Sequence, residues 1–298
     1  MNRHSTQLPT DMLIADTNKC NQKCIFCIQC MNIPSGGGID AYLLEKVLRE
    51  AYDLGVRRVG LYSMGEMFMC KDIHKHITTA HKLGFKYIYS DTNGVLATEV
   101  NLRKVIKAGL HSLKFSINAG TKETYKLIHG SDDFETVLEN LEICHRLKSE
   151  MNPKLKIMVS FVVTKQTENE VGLLQKVVES FADVFIYKPV FAFIPQHNVD
   201  ISSLATDKFA SNATIRRVPC SQVMDRIHVT HNGFLSACCM DYCQDLLLAD
   251  LKKESLKDAW FSKNAVDFRN RHMERNTDGT LCHGCTQRKF IPYKKLKI

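Results

Sequence analysis

Hydrophobic positions along this chain switch repeatedly between short runs and a helical period. Met12-Leu13-Ile14-Ala15 is a four-residue apolar run. From Ile39 to Leu54 the spacing becomes helical, with Leu43, Leu44, Val47, Leu48, Ala51 and Leu54 on one face. Arg58 to Met64 predicts a second strand. Asp72 to Leu83 predicts a helix stopped by Gly84, and Lys86 to Ser90 a third strand closed by the turn Asn93-Gly94. Glu99 to Ala108 predicts a helix stopped by Gly109, and Leu113 to Ile117 a fourth strand. Two helices follow, the second from Phe134 to Leu147, then a β-branched fifth strand from Leu155 to Val163. Thr167-Glu168-Asn169-Glu170 has capping-box spacing and predicts the start of the next helix. Val184–Tyr187 and Val190–Ile194 compete to be the sixth strand.

Strands alternating with helices predict an α/β fold with a parallel sheet. Six units are too few to close an eight-fold barrel, so the expected shape is an open, partial (β/α)6 TIM-like barrel. Active sites in such folds sit at the C-terminal strand ends. The pattern changes after about residue 196. Ser202, Ser203, Ser211 and Asn212 mark a polar linker. Arg226–Thr230 and Phe234–Ala237 flank His231-Asn232-Gly233, a hairpin signal. A single helix is expected from Ser255 to about Met273, with Trp260 in the core of the small module. The expected division is a barrel over 1–200, a linker over about 197–215, and a small Cys-rich module over 216–298.

The chain has 298 residues, enough for one large α/β domain with an appendage. No run approaches the roughly 18 apolar residues of a membrane span, and no signal-like stretch follows Met1, so a soluble, cytoplasmic protein with no membrane partner is expected. Net charge is +8, and five of those charges (Arg288, Lys289, Lys294, Lys295, Lys297) lie in the last 13 residues. Charge so localised argues against a nucleic-acid partner. A basic tail is solvated, or steers an anionic small-molecule substrate.

Twelve Cys change the picture. In a chain this long with no export signal, clustered Cys point to metal binding rather than disulfides. Cys20, Cys24 and Cys27 form C-x3-C-x2-C directly after the first strand. Three thiolates on one short loop suit an open, catalytic metal, because structural zinc prefers four ligands in paired hooks and iron–sulfur clusters are normally held by four Cys. A second set is Cys220, then Gly233 and Cys238, then the hook Cys282-His283-Gly284-Cys285. Four thiolates in two hooks suit either zinc or one [4Fe-4S] cluster.

C-x3-C-x-aromatic-C, with Phe26 as the aromatic, resembles the signature of the radical S-adenosylmethionine (radical SAM) superfamily. The resemblance spans roughly residues 10–195 and implies a [4Fe-4S] cluster whose fourth iron chelates S-adenosyl-L-methionine (AdoMet). It also implies reductive cleavage to a 5′-deoxyadenosyl radical, with electrons from a reductant such as flavodoxin or ferredoxin. Ser63-Met64-Gly65-Glu66 resembles the family's GGE motif, with Met64 in place of the first Gly; Gly65 and Glu66 are retained as AdoMet-binding candidates. Asp91-Thr92-Asn93-Gly94 resembles its T-N-G turn, and Ser116-Ile117-Asn118 its ribose-contacting motif. The resemblance therefore implies AdoMet contacts from Phe26, Asn93, Ser116 and Asn118. The C-x12-G-x4-C run from Cys220 resembles the opening of a SPASM/twitch auxiliary-cluster domain. With Cys282 and Cys285 it implies one auxiliary [4Fe-4S] cluster, two clusters in all. The spacing is similar to that of the radical SAM aminocyclitol dehydrogenase of the butirosin pathway.

Two reactions follow from the resemblance. One oxidises an alcohol of a sugar or aminocyclitol to a ketone, with the auxiliary cluster as electron acceptor. The other is epimerisation, in which Cys239 or Cys243 returns a hydrogen atom. A peptide-modifying SPASM enzyme is disfavoured because only about ten residues precede the first strand; a non-catalytic metal scaffold is the remaining alternative. Lys188, Asp241 and Arg217 are placeholders for a general base. His129, His197, His228 and His283 read as structural, Tyr87 and Tyr89 as packing and Cys144 as core. Cys30 and Cys70 belong to no motif.

Overall fold

Six strands from the first two-thirds of the chain lie side by side in their sequence order. They are β1 (Asp11–Ile14), β2 (Arg58–Leu61), β3 (Tyr87–Thr92), β4 (Ser112–Ser116), β5 (Lys156–Val163) and β6 (Val184–Pro189), each parallel to the next. The computed structural model describes residues 8–27, 37–190, 193–194, 199–208 and 218–287. Helices α1 (Ala41–Asp53), α2 (Ile73–Leu83), α3 (Glu99–Lys107), α4 (Lys122–His129), α5 (Phe134–Met151) and α6 (Val171–Val178) return the chain between strands. The partial barrel expected from the sequence is therefore present. Its elements start and stop where local chemistry directs. The Asp40 carboxylate accepts from Leu43 N–H at 2.9 Å to open α1, and Gly84, at φ 93°, closes α2 in the left-handed region.

Alternation along the strands divides the sheet into two faces. Ile157, Val159, Phe161 and Val163 of β5 are fully buried beneath the helices, as are Ile88 of β3 and Leu113 and Phe115 of β4. The opposite positions, Tyr89, Asp91, Lys114, Ser116 and Ser160, are only partly buried. The inner face of the barrel is thus polar.

An open barrel leaves β1 with an unpaired edge, which costs hydrogen bonds and invites aggregation. The C-terminal hairpin covers it. After the short pair β7 (Phe193–Ile194) and β8 (Val199–Asp200) and the turn α7 (Ser221–Met224), β9 (Arg226–Val229) pairs in parallel with β1. Then β10 (Phe234–Ser236) and β11 (Leu247–Asp250) extend the same sheet to nine strands. The expected Asn-Gly hairpin is the β9–β10 connection, with Gly233 at φ 86°. Asp11 fastens this seam. Its carboxylate accepts from Arg226 Nη2 at 3.2 Å, Arg58 Nε at 3.3 Å and the Tyr89 hydroxyl at 2.8 Å. Tyr89 is therefore more than packing. It crosses β2 over Gly60, where an added Cβ would lie 2.8 Å from its ring.

Several local expectations give way to tertiary context. Helix 255–273 is two helices, α8 (Leu256–Trp260) and α9 (Lys263–Met273), because Ser262 accepts from Ala265 N–H and starts a new helix. Trp260 is buried, as expected, with the Arg269 guanidinium 4.4 Å from its ring centre. The last helix among the described residues is α10 (Leu281–Gln287), which carries the Cys282–Cys285 hook. The capping box at Thr167 does not form. The Thr167 hydroxyl accepts from Thr164 N–H, and Glu170 instead accepts from Gly120 N–H at 2.7 Å and Thr124 Oγ1 at 2.6 Å. Val184–Pro189 takes the sixth strand position by pairing with β5. The second strand ends at Leu61 rather than Met64. His197, Ser211, Asn212, Arg217, Cys30 and the basic tail from Arg288 lie outside the described residues.

Replacing Asp11 by Ala removes the shared acceptor of two guanidinium groups and a tyrosine. Stability should fall by about 1.5–3 kcal/mol, read as a lower urea midpoint at unchanged m-value.

Candidate functional site

The first cysteine loop leaves the C-terminal end of β1 and is held on both flanks. Thr17 Oγ1 donates to Gly37 O at 2.9 Å, and Asn18 Oδ1 accepts from Gly37 N–H at 2.7 Å. Further on, Lys23 N–H donates to His129 O and Ile25 N–H to Ile128 O, laying the loop along the end of α4. Gly65 presses against its root: a Cβ there would lie 2.4 Å from Thr17 O. Glu66 locks the arrangement. Its N–H donates to Lys19 O at 2.8 Å. Its buried carboxylate accepts from Thr92 Oγ1 at 2.6 Å, Asn93 N–H at 2.6 Å and Phe68 N–H at 3.2 Å. Burial pushes its pKa up to about 7 despite those three donors.

The other expected AdoMet contacts gather around this loop. The Asn93 amide donates to Asn21 Oδ1 at 2.8 Å and points at Cys20 Sγ, 3.8 Å away. Asn118, buried at φ 58°, accepts from Val162 N–H at 2.8 Å and meets His129 at 3.4 Å. Ser116 pairs with Ser160 across β4 and β5 at 3.2 Å. Phe26 packs with Val162 and Tyr242 against Val190 and Ile201. His129 is indeed buried and bonded. Its Nε2 meets Ile117 O at 2.6 Å, its Nδ1 lies 3.2 Å from Cys24 Sγ, and its ring stacks on Tyr125 at 4.3 Å.

The second cysteine set gathers beside the start of β9. Cys220 caps α7, and Cys238 accepts from Met240 N–H at 3.3 Å. The i, i+3 spacing of Cys282 and Cys285 on α10 sets both on one helix face. Burial, with Cys285 and Cys220 adding repulsion, pushes the Cys282 thiol up to about 12. Burial likewise raises Cys20 and Cys24, reinforced by neighbouring thiols. Such thiols ionise only beside a strongly positive group, which iron supplies. A single zinc ion would draw its sulfurs to about 3.8 Å of one another. Among the described residues no three cysteine sulfurs come within 4.8 Å. The buried, thiol-only donor sets fit iron–sulfur clusters.

A small cleft of about 30 Å3 opens where the ends of β1 and β2 meet the second cysteine region. Leu13, Ala15, Ser63 and Met64 line one side, and His231, Cys238, Cys239, Asp241 and Tyr242 the other. Cys239 is thus in the cleft, its thiol directed at Gln222 Oε1 at 3.6 Å. Cys243 is half-buried and not among the lining residues. Asp241 lines the cleft, but its carboxylate already accepts from Ser236 Oγ, Asp245 N–H and Leu246 N–H. It is a turn-builder, not a base. Lys188 projects from β6 near Asp91, which is paired to Lys114 at 2.5 Å. Sequence reasoning missed His231, hidden inside a turn signal; burial lowers its pKa.

Residues 14–176 match the family model of the radical SAM superfamily, and residues 220–286 match that of an iron–sulfur cluster-binding domain, SPASM. A "probable GTP 3′,8-cyclase" of Saccharolobus islandicus is 30% identical over 167 residues, covering 54% of this chain and 50% of the relative. The chain thus spans about half the length of the curated relatives it matches. The structure of BtrN in complex with AdoMet and 2-DOIA is similar at TM-score 0.61 and 15% identity, covering 94% of this chain and 92% of that one. SuiB of Streptococcus suis bound to S-adenosylmethionine gives TM-score 0.70 and 16% identity, covering 88% of this chain and 68% of that one. These likenesses concern the fold. Among the described residues no helix is long and apolar enough to cross a membrane.

Burial pushes the pKa of His129 and of His272 down to about 4. A depressed histidine contributes stability above its unfolded value of about 6.5, and that contribution is lost as pH falls toward 4. Glu66, raised to about 7, has the opposite sign between pH 4.5 and 7 and offsets one of the two. Asp16 and Asp91, raised by burial, act in the same direction as Glu66, so the histidine contribution is read by difference. In the cluster-free protein, the denaturation midpoint of His129→Asn relative to the parent should rise as pH falls below about 6.5.

Proposed function

The chain belongs to the radical SAM superfamily and carries a SPASM iron–sulfur domain, and from that premise we propose that it oxidises an alcohol carbon of a small, polyhydroxylated substrate. Cys20, Cys24 and Cys27 hold the AdoMet-binding cluster; Cys220, Cys238, Cys282 and Cys285 hold one auxiliary cluster. The chemistry these groups supply when bound is a 5′-deoxyadenosyl radical at the first and an electron sink at the second. The observation that carries the reading is the cleft: its walls come from the β1 and β2 strand ends on one side and the Cys238–Tyr242 loop on the other. A substrate there would lie against Cys238 and against the ends of β1 and β2, the first of which leads into the Cys20 loop.

The rest of the assignment concerns the chain's own groups. Gly65 and Glu66 keep the strand ends against the loop, while Phe26, Asn93, Ser116 and Asn118 line the nucleotide's place. The polar inner face, with Asp91, Lys114, Ser116 and Ser160, suits hydroxyl and amino groups. Loss of hydrogen from a carbinol carbon acidifies its hydroxyl, and His231 takes that proton. Its lowered pKa keeps the imidazole neutral, hence basic, at pH 7. The similarity to GTP cyclases falls on about half of each chain, so it supports the radical chemistry rather than a nucleotide substrate. The likenesses to BtrN with 2-DOIA and to anSMEcpe with a bound peptide each extend over nearly the whole of both chains, so the preference for a small molecule rests on the polar inner face rather than on the neighbours.

One observation favours a second reading. The Cys239 thiol lines the same cleft, where return of a hydrogen atom would make the reaction an epimerisation. Product analysis in heavy water separates the two: oxidation adds a carbonyl, whereas epimerisation incorporates deuterium at constant oxidation state and fails in Cys239→Ser.

Two outcomes test the proposal. Substituting Cys20, Cys24 and Cys27 together by Ala should lower iron from about eight to about four atoms per chain and abolish 5′-deoxyadenosine formation with dithionite. Unchanged iron would sink the ligand assignment. His231→Gln should slow ketone formation about a hundredfold while leaving substrate-free AdoMet cleavage intact. An unchanged rate removes His231 as the proton acceptor.

A further inference from the structure

Behind the first cysteine loop, on the side of the sheet that faces the helices, three further side chains converge. Asp16 Oδ1 lies 2.5 Å from His76 Nδ1, and Cys70 Sγ lies 3.9 Å from the same nitrogen. One oxygen, one sulfur and one nitrogen are all within 4.8 Å of one another. Asp16 is 2% exposed and His76 6%, whereas Cys70 is half-buried. None of the seven cysteines assigned to clusters takes part.

The topology separates this group from the cleft. Leu13 and Ala15 line the cleft, while Met12 and Ile14 pack in the helix-side core. Asp16 continues the even-numbered face, two residues past the end of β1. Cys70 ends the 3-10 turn Met67–Met69, and His76 sits on the first turn of α2. The sequence offered only Cys70-x5-His76, which fits no motif. Asp16 is 54 residues away from Cys70 in the chain and joins them only because β2 is parallel to β1.

Chemistry narrows what the group can do. A nucleophile–base–acid relay uses both nitrogens of an imidazole, but here thiol and carboxylate meet the same one. A plain Asp–His pair explains Oδ1 and leaves Oδ2, which is buried and has no hydrogen-bond partner among the described residues. A buried carboxylate oxygen without a donor is costly and is relieved by a cation. We propose that Asp16, Cys70 and His76 form a separate mononuclear site for a divalent transition metal of the zinc type. Mixed O, N and S donors suit zinc better than magnesium or calcium. Metal–ligand bonds of about 2.0–2.3 Å put such donors roughly 3.3–3.8 Å apart. The sulfur–nitrogen separation already approaches that, and the Asp16–His76 contact needs to open by about 1 Å. The metal would pin the root of the loop that carries Cys20, four residues beyond Asp16, to the start of α2.

Metal content tests the proposal. In protein carrying its clusters, elemental analysis should find about one zinc per chain besides the iron. Cys70→Ser and His76→Gln should reduce it at least fivefold, while the Cys20/Cys24/Cys27→Ala protein should keep zinc as its iron falls from about eight to about four atoms per chain. Co2+ added to zinc-stripped, cluster-loaded protein should give a thiolate-to-cobalt charge-transfer band that Cys70→Ser abolishes, whatever that variant's stability. Zinc unchanged in the variants, zinc lost with the cluster cysteines, or a cobalt band that is absent or survives Cys70→Ser would each overturn the site and leave a buried ion pair.

Discussion

One buried carboxylate holds the working end of this molecule together. Glu66 reaches from the segment after β2 to the β3 turn through Thr92 and Asn93, and its own N–H reaches back to Lys19 in the cysteine loop. Three strand ends are fixed by one residue. Burying a carboxylate is unfavourable, which is why its pKa rises, and three donated hydrogen bonds make the arrangement tolerable. Gly65 beside it has to be glycine, because any side chain would strike the loop backbone. Asn93 is thereby delivered to Cys20. The cysteines are thus placed by a polar clamp rather than by their own chemistry.

The second constraint is the free edge of β1. A six-stranded barrel does not close on itself, and β9 satisfies the edge by pairing in parallel. That choice fixes where the auxiliary cysteines go. Because β10 runs antiparallel to β9, the chain leaving Ser236 returns toward the beginning of β9, where Cys220 precedes it. Cys20, Cys24 and Cys27 follow the opposite end of the neighbouring β1. The two cysteine groups therefore follow opposite ends of neighbouring strands, so the same hydrogen bonds that protect an edge also fix which end of the sheet each group leaves from.

Much of this was legible in the chain because it was local. The alternation of strand and helix periods, the glycine stops at Gly84 and Gly109, and the Asn-Gly turn are each decided within a few residues. So were the cysteine spacings. The misreadings arose where distant groups compete for the same atoms. Thr167 and Glu170 look like a capping box until Gly120 and Thr124 take the Glu170 carboxylate. A continuous helical pattern from Ser255 breaks because Ser262 offers a new cap. Asp241 stands as a placeholder for a general base in sequence, and its carboxylate is taken up by its own turn. Tyr89 looks like packing until Asp11, 78 residues earlier, accepts its hydroxyl proton. His231 is unreadable for a different reason: in a turn signal, a histidine carries no information about which side it faces.

The polar interior raises a question of affinity that its pairings answer. Inside the barrel Asp91 is bonded to Lys114, Ser116 to Ser160 and Tyr89 to Asp11. A hydroxylated molecule entering there displaces satisfied hydrogen bonds as well as water, and gains only the difference. Such an interior discriminates more than it attracts, because a substrate lacking the matching groups leaves buried polar atoms unpaired. Attraction has to come from the rim, where Leu13, Ala15, Met64 and Tyr242 offer apolar surface next to Ser63 and His231. Both sets of strand and loop residues must then be engaged at once. In the proposed reaction that division would surround a reactive species with groups that already have partners and place the substrate carbon where apolar and polar walls meet.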